Sequence, residues 1–238
     1  MKLFLPKQHG AWAMLMIPFW LGVAANDFMW IHIPFFFGWL LLYLATYPML
    51  LLFKRKKINF YRKWTIIYVV PALILLLIPL WERPSIVIFG LVMIPFFTLN
   101  AYYSSKNRDR ALGNDLSAII VFSIAGLASG FLPNGDLISE VWTVFIASIL
   151  FFTGSTFFVK TMIREKKNQK YKWISWLFHI AIIMVWIMTG NWLVVAAYIP
   201  SLIRAVIFYG KGLTMAKLGI LEIVNAAYFF IIVLIAIQ

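Results

Sequence analysis

Residues 64–80 read WTIIYVVPALILLLIPL, seventeen positions without a charge, set between Arg62-Lys63 and Glu82-Arg83. As a helix rising about 1.5 Å per residue, such a run covers roughly 25 Å, most of a hydrocarbon core about 30 Å thick. It is too long and too evenly apolar for a barrel strand, which alternates polar and apolar positions. Eight more apolar runs lie at about 10–25, 33–53, 85–99, 116–132, 141–159, 173–189, 192–210 and 218–237, charge-free but for Arg204 and Glu222 in the last two. The expected fold is therefore all-α: one polytopic domain over 1–238 with nine transmembrane helices. The runs at 10–25 and 85–99 are short, and both are expected to continue as helix beyond their inner ends. For the second, 100–108 holds no Gly or Pro to stop it.

Composition agrees. Of the 238 residues, 63% are apolar and 12% charged, and mean hydropathy is +0.91. A soluble domain averages about 45–50% apolar and 25% charged residues, and a disordered chain lacks this aromatic and branched content. A net charge of +13 suggests nucleic acid only where a hydrated surface can spread it, and none is expected here. With no cysteine, disulfides, thiolate nucleophiles and zinc–thiolate sites are excluded. The opening MKLFLPKQHGAWAML runs apolar to Ala25 with no small-residue cleavage site and is expected to be retained. No Walker loop or dinucleotide fingerprint occurs.

Basic residues set the expected topology. With the N-terminus in the cytoplasm, 20 of the 21 Lys and Arg residues fall on the inner side and only Arg83 falls outside. Nine spans then put the C-terminus outside, in the cell membrane. Trp30, Trp64, Trp81, Trp142, Trp173 and Trp192 mark span ends, where amphipathic rings favour the headgroup zone. Gly126-Leu-Ala-Ser-Gly130 offers a small-xxx-small face for close packing.

Polar residues in or beside the spans are the site candidates. Lys7, Gln8 and His9 open the first span, where helix N-terminal amides favour anions. Asn100 to Asp115 is the densest polar stretch, and as a helix it would align Asn100, Ser104, Asn107 and Arg108 on one face, with Lys106 beside them. Lys160 and Arg164 stand one turn apart and could grip a phosphate, the first as a point charge and the second with a fork. Each set could instead be topogenic charge. Arg204 could reach the interface or pair with Glu222 of the next span, near Asn225. The midplane is expected to be dry, which disfavours a proton-coupled pump.

Pro6-Lys-Gln-His-Gly-Ala-Trp-Ala-Met-Leu15, Asn100-Ala-Tyr-Tyr103 and Ala111-Leu-Gly-Asn-Asp115 resemble the YwiC-like bacterial membrane proteins over the full length. More distantly the chain resembles the UbiA superfamily of intramembrane prenyltransferases. That resemblance implies a nine-helix bundle with a cytoplasm-facing pocket, in which two Asp-rich motifs hold Mg²⁺ against an isoprenyl diphosphate. Tyr102, Tyr103, Lys106 and Arg108 partly match the superfamily's basic segment, but both metal motifs are missing, and Lys160 and Arg164 stand at the second. Mg²⁺ requires hard oxygen ligands. The expectation is a metal-free, cofactor-free pocket for an amphipathic anionic lipid, an isoprenoid or phospholipid. Its ligand residues are Lys7, Gln8, His9, Asn100, Lys106, Arg108, Asp115, Lys160 and Arg164, supported by Arg204, Glu222 and Asn225. A divergent prenyltransferase, and a small-solute transporter or scaffold, remain the alternatives. Catalysis and oligomeric state are left open.

Overall fold

A computed structural model describes residues 4–5, 10–54, 57–166 and 168–238. Lys7, Gln8 and His9, and with them any helix ahead of Gly10, lie outside the described residues. The described residues form α1 (Gly10–Ala24), α2 (His32–Phe53), α3 (Ile58–Glu82), α4 (Val87–Ser105), α5 (Leu112–Phe131), α6 (Ser139–Ile163), α7 (Gln169–Met188), α8 (Trp192–Ile207) and α9 (Met215–Ala236). A short 3-10 turn, Pro84–Ile86, leads into α4. Seven of these segments are long and apolar enough to cross a membrane, the turn counted with α4, whereas α1 and α8 are shorter.

Helix caps explain several boundaries. The side chains of Asn168, Asn191 and Thr214 each accept a backbone N–H of the first turn of α7, α8 and α9. The fourth helix does extend past residue 99, but it stops at Ser105 rather than running to 108. Asn107 there adopts a left-handed backbone (φ 55°), a conformation Asn tolerates better than most residues. Asn107 and Arg108 therefore do not continue the face of Asn100 and Ser104. Alignment of those four residues on one helical face is corrected accordingly.

Helices α1 and α5 form the spine. Leu15, Phe19, Trp39, Tyr43, Trp64 and Phe122 build one core from α1, α2, α3 and α5. Leu21, Val144, Phe151, Trp186, Tyr198 and Phe229 build a second from α1 and α6 to α9. Outward faces are equally apolar: Ile66, Val70, Leu73, Ile74, Leu77 and Ile78 of α3 are all exposed. Water would not tolerate such a surface, whereas lipid does, because a helix apolar all round suits a hydrocarbon solvent.

Long-range hydrogen bonds within the chain sort the loops into two ends. Lys54 Nζ meets Asp109 Oδ2 at 2.7 Å and Lys160 Nζ meets Asp115 Oδ2 at 2.9 Å. The turns after α2 and α4 and the end of α6 thus share one end, called here the basic end. At the opposite end Asn134 Nδ2 donates to Asn26 Oδ1 at 2.9 Å. Arg83 there donates from Nε to the Leu132 carbonyl and from Nη2 to the Pro133 carbonyl, each at 2.7 Å. It neutralises the negative end of the α5 dipole and satisfies carbonyls that the helix leaves free. Removal of this fork by Arg83→Ala should cost about 2–3 kcal/mol. The expected result is a lower thermal midpoint in detergent, which Arg83→Lys restores only in part. An unchanged midpoint in the Ala variant would contradict this role.

His32, fully buried, joins α2 to α5. Its Nδ1 accepts the Met29 N–H at 2.9 Å, and its Nε2–H donates to the Ser129 carbonyl at 3.0 Å. One neutral tautomer satisfies both bonds.

Candidate functional site

Polar groups gather in two places: at the basic end between α4, α5 and α6, and inside the α6–α9 half. At the basic end Lys160 is only 6% exposed although it lies in the last turn of α6. Its Nζ holds Asp115 and also donates to the Arg110 carbonyl at 3.1 Å. Arg164 Nη1 reaches the same carbonyl at 3.3 Å. One turn of α6 thus brings both cations onto the 106–111 loop, as their spacing predicts. Two of the three Lys160 donors are engaged there.

The remaining loop contacts are of the same bracing kind. Asn114 Nδ2 donates to the Asp109 carbonyl at 2.8 Å. Burial opposes ionisation of Asp109, but hydrogen bonds from Lys54 and Ser104 prevail and hold its carboxyl below the usual carboxylate range. Asn100 Oδ1 accepts from Ser117 Oγ at 2.6 Å, tying the end of α4 to α5. With both aspartates engaged, Lys106, Arg108, Arg110 and Arg164 are exposed, and among the described residues none has a carboxylate partner. An open concavity at Arg164 is lined also by Glu165, Asn168, Gln169 and Lys170. Among the described residues no three His, Asp or Glu side chains come together as a metal-ligand set.

The second cluster contains the expected pairing of Arg204 with Glu222. Arg204 Nη1 donates to Glu222 Oε1, and Ser155 Oγ of α6 donates to Glu222 Oε2. Asn225 Nδ2 donates to Ser201 Oγ at 3.0 Å. The two pairs are rungs three residues apart on the antiparallel helices α8 and α9, so one ladder holds both. The guanidinium also lies over the Phe158 ring, 4.5 Å from its centroid. Arg204 therefore does not reach the interface: it is 3% exposed and turned into the bundle.

The expected dry midplane is overturned by His179. It lies at the middle of α7 and is 2% exposed. Its Nδ1–H donates to the Ser175 carbonyl at 2.6 Å, and its Nε2 has no partner among the described residues. A Cβ on Gly154 would stand 3.0 Å from that Nε2, so the glycine of α6 is what admits the imidazole. A lone His inside the seventeen-residue apolar run 173–189 was the available signal. His32 carried a similar one at a span end.

Among the described residues, nine apolar helices, seven of them long enough to cross a membrane, with cations gathered at one end and apolar outer faces, are those of a multi-pass helical membrane protein. The model of the family described as YwiC-like protein matches residues 5–130, and the chain belongs to that family. It is 42% identical over 230 residues to a Bacillus subtilis (strain 168) protein described as "Uncharacterized protein YwiC", with 96% of each chain covered. It is 36% identical over 236 residues to an "Uncharacterized protein" of Haemophilus influenzae, with 99% of each covered. No solved structure matches.

Proposed function

We propose that this protein crosses the cell membrane nine times with its basic end in the cytoplasm, and binds the head of an amphipathic anionic lipid there without a metal. The observation that carries the reading is the convergence of Lys160 and Arg164 on the Arg110 carbonyl. This bracing fixes a loop whose Lys106, Arg108 and Arg110, with Arg164, keep their charges uncompensated by carboxylates among the described residues. Arginine forks suit phosphate oxygens, and basic residues close to a membrane surface each add about 1 kcal/mol of attraction to anionic lipid. Lys160 acts as the internal brace rather than as a headgroup contact, while Asp115 neutralises it. Asn100 positions the end of α4, and the Arg204–Glu222 and Asn225 ladder supports α8 and α9 behind the site.

Native mass spectrometry of protein from mixed phosphatidylglycerol and phosphatidylcholine vesicles tests the reading, with a polyprenyl phosphate as a second probe. The wild type should retain the phosphate-rich anionic lipid selectively. Lys106→Ala/Arg108→Ala/Arg164→Ala should lose at least tenfold of that selectivity without loss of the folded peak. Equal retention by the two proteins would overturn it. Preference for the polyprenyl phosphate over phosphatidylglycerol would place an isoprenoid tail in the site.

A further inference from the structure

The end opposite the basic one carries a carboxylate that the fold leaves uncompensated. Glu82 closes α3, is exposed, and has no cationic partner among the described residues. A helix C-terminus already bears partial negative charge and free carbonyls, and it favours a cation rather than an acid. The last turn of α3 holds no basic residue. The neighbouring cation is engaged elsewhere: Arg83 turns its Nε and Nη2 onto the Leu132 and Pro133 carbonyls, each at 2.7 Å. Asp27, Asp136 and Glu140 lie at this same end, in the loops and in the first turn of α6, and add to its negative charge.

At Glu82 lies an open groove of about 310 Å³, lined also by Ile31 ahead of α2 and by Leu77, Ile78 and Trp81 of α3. That volume is at the lower end of small-ligand sites, about 300–1,000 Å³, and suits a headgroup with the first carbons of its chains. Tryptophan sets the depth. Trp81 is 90% exposed and Trp30, next to Ile31, 81%, and amphipathic indoles favour the headgroup zone. Leu77 and Ile78 stand about 6–8 Å deeper along α3 than Glu82, and they join the exposed apolar strip of Leu73 and Ile74. One side of α3 therefore runs from hydrocarbon, past an indole, to an unpaired carboxylate.

We propose that this groove binds the headgroup of phosphatidylethanolamine, with the primary ammonium on Glu82 and the chains along Leu77, Ile78, Leu73 and Ile74. An ammonium with three N–H donors satisfies both the carboxylate and the carbonyls at the end of α3. Choline has no N–H and can offer charge alone. Trp81 adds a ring face for the cation, and its indole N–H is a donor for the lipid phosphate. Phosphatidylglycerol, anionic and without an amine, is disfavoured by the carboxylates of this end. The groove shares no residue with the cations of the basic end, so either site can be removed without the other.

Native mass spectrometry of the full chain from equimolar phosphatidylethanolamine and phosphatidylcholine vesicles tests this. Wild type should retain the ethanolamine lipid at least fivefold over the choline lipid. Glu82→Gln keeps the shape without the charge and should retain the two equally, with its monodisperse elution unchanged. Glu82→Asp should keep most of the preference. On the wild type, a carbodiimide condenses a carboxylate with an amine in contact with it and takes up the water lost. It should join phosphatidylethanolamine by an amide to the peptide holding Glu82. Equal retention of the two lipids by the wild type would overturn the proposal. So would the wild-type preference in Glu82→Gln, or a lipid adduct absent from Glu82.

Discussion

Gly22→Leu should leave essentially no folded protein. A Cβ at Gly22 would stand 2.1 Å from the Gly126 carbonyl oxygen and 2.4 Å from Ser129 Oγ. A Cβ at Gly126 would stand 2.6 Å from the Pro18 carbonyl oxygen. The obstacle in both cases is backbone, which cannot rotate aside as a side chain can. Overpacking in forgiving sites costs about 1–3 kcal/mol, and here the two central helices would have to separate. That separation also breaks the bond from Ser129 Oγ to the Phe19 carbonyl at 2.8 Å. Without a hydrophobic force between helices in lipid, such close packing is itself what holds them together. The loss should exceed about 3 kcal/mol, a large part of the 5–15 kcal/mol typical of folded proteins. Size-exclusion profiles in detergent should show aggregate for Gly22→Leu and a normal peak for Gly90→Leu, where nothing lies within 4 Å. A normal peak for both would mean that α1 and α5 do not cross here.

Glu222→Ala should be the next most damaging change, at about 3–5 kcal/mol, because it leaves the Arg204 guanidinium buried without its counter-charge. Glu222 also accepts from Ser155, so α6 loses a tie to α9 at the same time. The informative companion is Arg204→Met/Glu222→Leu, which removes both charges and keeps most of the volume. Replacing both partners of a buried pair by apolar groups is often close to neutral, so the double variant should recover to within about 1–2 kcal/mol of wild type. Thermal midpoints of the three proteins decide the matter. Equal destabilisation by the single and double variants would show that charge compensation is not what the pair supplies.

Much of the helical framework could be read directly. Apolar runs located every described helix, although α3 begins and α4 ends six residues outside its run, and the Gly126–Gly130 stripe pointed to a face of close packing, where α5 meets α1. Arg204 and Glu222 were candidates for a pair because both were costly inside their spans. Readings that depended on local continuation fared worse. The end of α4 looked uninterrupted to 108, yet Asn107 turns the chain, and Lys54 with Asn114 holds the following Asp109 in place. His179 was visible as a residue, but its meaning depended on the glycine opposite it.

Run length and the clustering of lysine and arginine were sufficient to establish a membrane-embedded helical bundle, because hydrocarbon imposes the same length and charge requirements on any chain. They could not say which polar groups meet. Lys160 with Asp115, Arg204 with Glu222 and His179 with Gly154 each join different helices, and a residue's face on its own helix does not specify the partner across the groove. That pairing was decided by the packing of α5 through α9. Packing turned Lys160 from a free cation into a brace, and it gave a midplane that looked dry a histidine with an unused lone pair.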